Sequence, residues 1–419
     1  MEWQIDTRPA FRGLGEERYD KQFANVKTPC YILDEAALRR NGEILWQVQK
    51  ETGCKILLAQ KAFSNYDMYP VLAKYLAGTE ASGLYEARLG AEEMPDGEVH
   101  VFCGAYRDEE IDELLHYADH IVFNSPYQLG KYGPVAKAKG KSVGLRINPQ
   151  CSTQEGHDIY DPCAPGSRLG TTKDVWDSQM TEEMIELLDG LHFHTLCEQN
   201  SDALEVTLEA VEKLFSDVLP KMKWLNMGGG HHITRDDYDI DRLKRCINYA
   251  RDKWNVQVYL EPGEAVALNA GYLATRVLDI VENSGKKIAI LDVSAACHMP
   301  DVIEMPYTPP IYGADVHGAD VHGVDNKAKQ VQNIYRLAGP TCLAGDVIGD
   351  YVFSGELHRG DMLLFGDMAI YSMCKNNTFN GMPLPDILCR CEDGEIRVVR
   401  QFGYEDFKMR LGGETNQPK

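Results

Sequence analysis

Lys55-Ile-Leu-Leu-Ala-Gln-Lys61-Ala-Phe-Ser64 is the stretch on which the fold turns. Its apolar run, Ile56 to Ala59, predicts a strand buried on both faces. Lys61 follows at the strand's C-terminal end, which in a barrel of parallel strands is where catalytic groups sit. A lysine that sheds its hydration there loses its proton more readily and becomes a nucleophile, as a Schiff base to an aldehyde requires. A lysine that merely caps a strand and points to water would leave the same local pattern. These ten residues do not separate the two.

The surroundings repeat the theme. Upstream, Thr28–Asp34 predicts a strand and Glu35–Thr52 an amphipathic helix with Leu38, Ile44, Leu45 and Val48 inward. Downstream, a helix runs through Met68–Leu76. Strands at Glu98–Cys103, Ile121–Phe123 and Ser142–Ile147 then alternate with helices at Asp108–Tyr117 and Pro126–Lys139. The alternation resumes with a helix at Thr181–Leu188, Gly190–His194, a helix at Asp202–Val218, Trp224–Met227, a helix at Ile240–Trp254 and Val256–Leu260. Such regularity predicts an α/β fold, a TIM-like (β/α)8 barrel, over residues 28–270. Beyond Gly271 short strand-like runs separated by Gly and Asp predict a β-rich domain over residues 271–419, joined by residues 1–27.

Composition narrows the class. The chain has 419 residues, 44% of them hydrophobic and 26% charged, which suits a globular protein of two domains. A formal net charge of −21 argues against nucleic acid and anionic membranes as partners, and suits a cationic substrate. The 12 cysteines form no C-x-x-C pair, so no zinc ribbon is expected, and a large chain without a secretion signal is expected to keep free thiols and a cytoplasmic location. Neither a spanning apolar run nor a signal peptide is legible. The loop Gln150–Gly170 is long for a compact domain. Gly313-Ala-Asp-Val-His-Gly318-Ala-Asp-Val-His-Gly323 is a direct duplication whose His317 and His322 read as a surface-loop slip rather than a metal site.

The motifs carry chemistry at the strand ends. Gly190-Leu-His-Phe-His194 puts His192 and His194 on one side by the period of two, with His194 in the same mouth as Lys61. Leu225-Asn-Met-Gly228-Gly229-Gly230 leaves backbone N–H groups unobstructed after a late barrel strand, where barrels bind phosphate. No G-x-G-x-x-G accompanies it, so a dinucleotide is not expected. The adjacent His231-His232 pair is poorly spaced for one ion, and no metal is expected. Val258-Tyr-Leu-Glu261-Pro-Gly-Glu264 sets a carboxylate at the last strand end, to pair with a protonated ring nitrogen or to serve a helix N-terminus. In the β domain, Gly339-Pro-Thr-Cys342 and Gly366-Asp-Met-Ala-Ile-Tyr371 offer an accessible thiol and a hydroxyl.

In this order, the motifs resemble the pyridoxal-phosphate decarboxylases of the alanine-racemase-like fold, from Thr28 to Gly403. Ala59-Gln-Lys61-Ala-Phe, His192-Phe-His194, Met227-Gly-Gly-Gly-His-His232, Glu261-Pro-Gly-Glu264 and Ser294-Ala-Ala-Cys-His-Met-Pro-Asp301 are similar to the carboxynorspermidine (carboxyspermidine) decarboxylases within it. So are Ile303-Glu-Met-Pro-Tyr307, Gly339-Pro-Thr-Cys342 and Asn376-Asn-Thr-Phe-Asn-Gly381. The resemblance implies pyridoxal 5'-phosphate as cofactor. Lys61 would hold it covalently, His194 would stack on its ring, and Glu261 would face its ring nitrogen. Gly228, Gly229, Gly230 and Tyr371 would cradle its phosphate. Cys342 would return a proton to substrate Cα, from the partner subunit of a homodimer with shared active sites. Relatives often carry an arginine at the position of Glu264 and an acid after the cysteine, where this chain has Leu343. Glu264 and Asp301 are thus expected to bind the amines of a carboxypolyamine substrate, and Asp346 to stand in for the missing acid.

Overall fold

The computed structural model describes residues 23, 26–154, 160–312, 314–316, 333–353 and 355–413. His317 and His322, and residues 155–159 of the long loop, lie outside them. The chain divides into two compact units, one over Leu38–Leu268 and one over Met1–Ala37 with Asn269–Lys419.

The first strand, β1 (Cys30–Asp34), departs from expectation. It does not open the barrel; it pairs antiparallel with β10 (Gly271–Asn283) and parallel with β16 (Asp386–Arg390). Alternation explains why its sequence misleads. Tyr31 packs into one cluster of the sheet unit, and Cys30 and Ile32 into another with Phe23 and Tyr272. A strand covered on both faces reads alike in a barrel and in a sheet with two cores.

The barrel is closed by β2 (Lys55–Ala59), β3 (Gly78–Ala81), β4 (Glu98–Phe102), β5 (His120–Phe123), β6 (Ser142–Arg146), β7 (Gly190–His192), β8 (Trp224–Asn226) and β9 (Gln257–Leu260). Every pairing is parallel, including β9 with β2. The strand that expectation lacked is β3, whose Gly-Thr-Glu-Ala has no apolar run. The outer helices obey periodicity: Leu204, Leu208, Val211 and Phe215 are buried along Ser201–Phe215. Asp239 caps Ile240–Trp254 by accepting from Arg242 N at 2.9 Å, and Asn255, left-handed at φ 54°, ends it.

Contacts between strands that are not neighbours identify the barrel interior. Leu57, Val122, Trp224 and Tyr259 form one cluster although they come from β2, β5, β8 and β9. The period of two then assigns the rest. Low in the barrel, Glu98 accepts from Lys55 Nζ and, at 3.2 Å, from His100 Nε2, whose ring stacks on His120 at 3.9 Å. Burial alone would raise the Glu98 pKa, but His100 and Lys55 hold it down at about 2. The Trp224 indole lies across Gly144 and Gly190 and donates to Ser142 Oγ at 2.8 Å. Above it, toward the C-terminal strand ends, come Glu80, Phe102, Arg146, His192, Asn226 and Glu261.

The sheet unit runs β12 (Ala314–Val316), β14 (Val347–Phe353), β13 (Ile334–Ala338), β11 (Lys286–Leu291), β10, β1, β16 and β17 (Ile396–Arg400), with β15 (Met362–Phe365) on β10. Its larger core gathers Tyr31, Leu291, Tyr335, Tyr351 and Phe365. Among the described residues no helix is long and apolar enough to cross a membrane.

Candidate active site

Lys61 stands two residues beyond β2, half-buried, on the inward side set by Leu57 and Ala59. Its charge acts on Glu80, His192, His194 and Glu261, which places all five groups at one mouth. Glu261 is 4% exposed, yet it is ionised. Loss of water opposes the charge, and the polar contacts overcome it, holding its pKa at about 2. Asn226 Nδ2 donates to its Oε1, and His192 Nε2 lies 3.1 Å from its Oε2. Burial pushes the His192 pKa down, so the ring is neutral, with its proton on Nε2 and donated to the carboxylate. His192 Nδ1, which carries the lone pair, makes no hydrogen bond among the described residues.

His194 is neutral for the same reason. Burial, with Lys61 and Arg146 adding to it, drives its pKa well below the ordinary value. Its Nδ1 accepts from Gly229 N–H at 3.1 Å, which only an unprotonated nitrogen can do. Arg146 steadies this strand end by donating to His194 O at 3.1 Å while its guanidinium lies 4.5 Å over the Phe102 ring.

The glycines are required by space as well as by backbone freedom. A Cβ on Gly229 would lie 2.5 Å from Glu261 O, and one on Gly230, at φ 80°, 2.0 Å from Leu196 O. Their amides are not all open, however. Gly228 N–H donates to Asn226 Oδ1 at 2.9 Å and Gly229 N–H to His194, which leaves the Gly230 N–H without a hydrogen bond among the described residues. The expectation of three free amides for a phosphate therefore narrows to one in this arrangement. His231 and His232 diverge: His231 Nε2 lies 3.2 Å from Met227 O, and His232 Nε2 3.3 Å from Glu264 Oε1.

In the sheet unit three distant motifs are stitched together. Asn377 donates from Nδ2 to Ala296 O at 2.8 Å and from its N–H to Cys297 O at 2.9 Å. Asn380 Oδ1 accepts from Cys342 N–H at 2.7 Å, and Cys342 itself is exposed. Asp346, expected at the substrate, is turned inward instead. It is 3% exposed; Oδ2 accepts from Thr341 Oγ1 at 2.7 Å and Oδ1 from Ala296 N–H at 3.3 Å. Oδ2 shapes the loop that carries Cys342 and Oδ1 ties that loop to Ala296, which is the work of a positioning residue. Asp301 makes an ion pair with Lys375, and Tyr371 takes a left-handed backbone at φ 54° ahead of Ser372–Lys375.

A primary amine, a neutral imidazole and a buried ionised carboxylate at one mouth form the donor set that pyridoxal phosphate needs. The residues fit it. Sequence reasoning missed Glu80, Arg146 and Asn226 in this mouth. Asn226 was legible, since period two carries Trp224 through Asn226 to Gly228. Arg146 follows likewise from Ser142 and Gly144. Glu80 has no such signal, because β3 itself was unseen.

A family model described as pyridoxal-dependent decarboxylase, C-terminal sheet domain, matches residues 30–369. The chain is 41% identical over 389 residues to a carboxynorspermidine/carboxyspermidine decarboxylase of Campylobacter jejuni, covering 93% of this chain and 99% of that one. It is 40% identical to a carboxyaminopropylagmatine decarboxylase of Synechocystis, covering 93% and 97%. The crystal structure of the Campylobacter jejuni carboxynorspermidine decarboxylase complexed with norspermidine superposes with a TM-score of 0.82 at 40% identity, over 92% of this chain and all of that one. A diaminopimelate decarboxylase from Helicobacter pylori, 19% identical with a TM-score of 0.76 over 94% of this chain and 98% of that one, shares the fold. The chain belongs to the pyridoxal-dependent decarboxylases, in the branch that holds the carboxynorspermidine/carboxyspermidine decarboxylases.

Proposed function

We propose that this enzyme removes the α-carboxylate of carboxynorspermidine and carboxyspermidine as CO2, giving norspermidine and spermidine, as a cytoplasmic homodimer. Pyridoxal phosphate, when bound, supplies the electron sink into which the broken Cα–carboxylate bond empties. Lys61 would hold the cofactor's aldehyde carbon and release it to the substrate amine. His194 offers a neutral ring face. Glu261, kept ionised by Asn226 and His192, holds a proton on the cofactor's ring nitrogen. The Gly230 N–H and the Tyr371 hydroxyl bind phosphate. Cys342, in an exposed loop shaped by Asp346, delivers the proton to Cα from the partner subunit.

The observation that carries the reading is the ionised Glu261 beside Lys61. A carboxylate that keeps a ring nitrogen protonated favours decarboxylation over racemisation, which works with a weakly protonated ring. Glu264, a partly exposed carboxylate, and Asp301 bind the substrate's amines. The test measures CO2 release by the holoenzyme from carboxynorspermidine, carboxyspermidine, carboxyaminopropylagmatine, ornithine and diaminopimelate. The two carboxypolyamines named in the proposal should be turned over fastest, and Lys61→Ala should abolish turnover. Faster release from ornithine or diaminopimelate, or full activity in Lys61→Ala, refutes it.

A further inference from the structure

Glu198, His232 and Glu264 bring three ligand atoms within 4.8 Å of one another, and the roles given above use only Glu264. A short parallel pairing holds them in place. Gln199 N–H donates to Gly230 O at 3.0 Å and His232 N–H to Gln199 O at 3.3 Å, so the segment after β7 lies beside the one after β8. His232 is 6% exposed; among the described residues its Nδ1 makes no hydrogen bond, and its Nε2 pairs with Glu264 Oε1 at 3.3 Å. This imidazole thus has one ring nitrogen without a hydrogen bond and the other at the edge of hydrogen-bond range from a carboxylate, and when neutral it has acceptor capacity left for a cation.

We propose that Glu198 and His232 complete, with Glu264, a subsite for one ammonium group of the substrate, and so help determine specificity. This rests on the polyamine reading above. An ammonium with three acceptors at about 2.8 Å in tetrahedral directions sets them about 4.6 Å apart, inside the 4.8 Å limit that contains the three ligand atoms. Zinc, with ligands at about 2.1 Å, sets them about 3.4 Å apart, a separation that the His232–Glu264 pair at 3.3 Å also meets, so the Zn2+ arm of the titration decides between the two cations. Two carboxylates and one neutral acceptor also repel a substrate whose far end carries its own carboxylate.

The imidazole has a part in binding. Burial pushes its pKa down, but the carboxylates of Glu264 and Glu198 outweigh that and Arg235, and hold it above its ordinary value. An arriving ammonium displaces that proton, because the imidazole can accept a hydrogen bond only when neutral.

The test is calorimetric titration of norspermidine into the holoenzyme at pH 7 with chelator present, in two buffers of different ionisation enthalpy. Wild type should bind with proton release. Glu198→Gln, a surface change, should weaken binding about 10-fold, the loss expected for one partly exposed charge-assisted hydrogen bond. Its KM for carboxynorspermidine should rise by a similar factor with kcat within about twofold. His232→Gln should abolish the proton release. Norspermidine affinity unchanged in Glu198→Gln, or proton release unchanged in His232→Gln, overturns the proposal. So does stoichiometric Zn2+ binding that Glu198→Gln removes while norspermidine binding persists. Absence of CO2 release by wild type would sink the decarboxylase reading instead, and norspermidine binding would still decide the subsite.

Discussion

Replacing Glu80 by glutamine should stabilise the protein, and only above the pH at which an ordinary carboxyl ionises. Glu80 is 3% exposed in β3, and its Oε2 makes no hydrogen bond. Burial raises its pKa to about 8; Lys61 opposes the shift and Glu261 adds to it. The unfolded chain releases this proton near 4.5, the native one near 8, so across that window the native state holds more protons. Stability therefore falls as pH rises through it. Ionising it in the native state at pH 8 rather than in water thus carries a penalty on the order of 3–5 kcal/mol. Glutamine keeps the shape and cannot ionise. At roughly 2 °C per kcal/mol for a chain this long, Glu80→Gln should melt about 6–10 °C above wild type at pH 8. The difference should close by pH 4.5. Thermal midpoints of both proteins from pH 4.5 to 8.5 check this. Parallel curves, or a wild type more stable at pH 8, would refute the assignment of a buried neutral acid beside Lys61.

Two further outcomes follow from the packing and the histidines. Gly190→Ala would set a Cβ 2.0 Å from the Trp224 ring, and overpacking of this severity should cost about 1–3 kcal/mol or more, measured by denaturant unfolding. His298 is fully buried between Ser294 N–H and Pro383 O, and burial lowers its pKa to about 4. A histidine lowered in the native state supports stability fully above its unfolded pKa and loses it as pH falls toward the native one. The advantage of wild type over His298→Asn should thus shrink by on the order of 2 kcal/mol between pH 6.5 and 5. An advantage that stays constant would mean that the buried ring titrates as it does in the unfolded chain.

Much of the barrel was legible because its strands end in chemistry. Lys61, His194, Gly228 and Glu261 each follow an apolar run, and the period of two carries the eye from the core to the mouth. What was not legible depends on pairing rather than on pattern. β1 has the right residues for a barrel strand, and only its partners β10 and β16 show that it belongs to the sheet. β3 has the wrong residues, and its place between β2 and β4 is fixed by register. Glu80 was lost with it. Asp346 failed differently: an acid near a thiol suggests a substrate contact, and sequence cannot show that Thr341 and Ala296 already occupy its oxygens. Glu198 and His232 lie on segments after different strands, so their meeting is invisible in one dimension.

The indole laid across Gly144 and Gly190 has a consequence for how such a barrel changes over time. One strand supplies the bulk and two others supply the hollow, so none of the three positions can drift alone. A larger residue at either glycine meets the ring, and a smaller one at Trp224 opens a void against two bare backbones. The three positions are physically coupled, and filling the barrel another way requires exchanging them together. The floor beneath the active site therefore accommodates compensated replacements better than single ones.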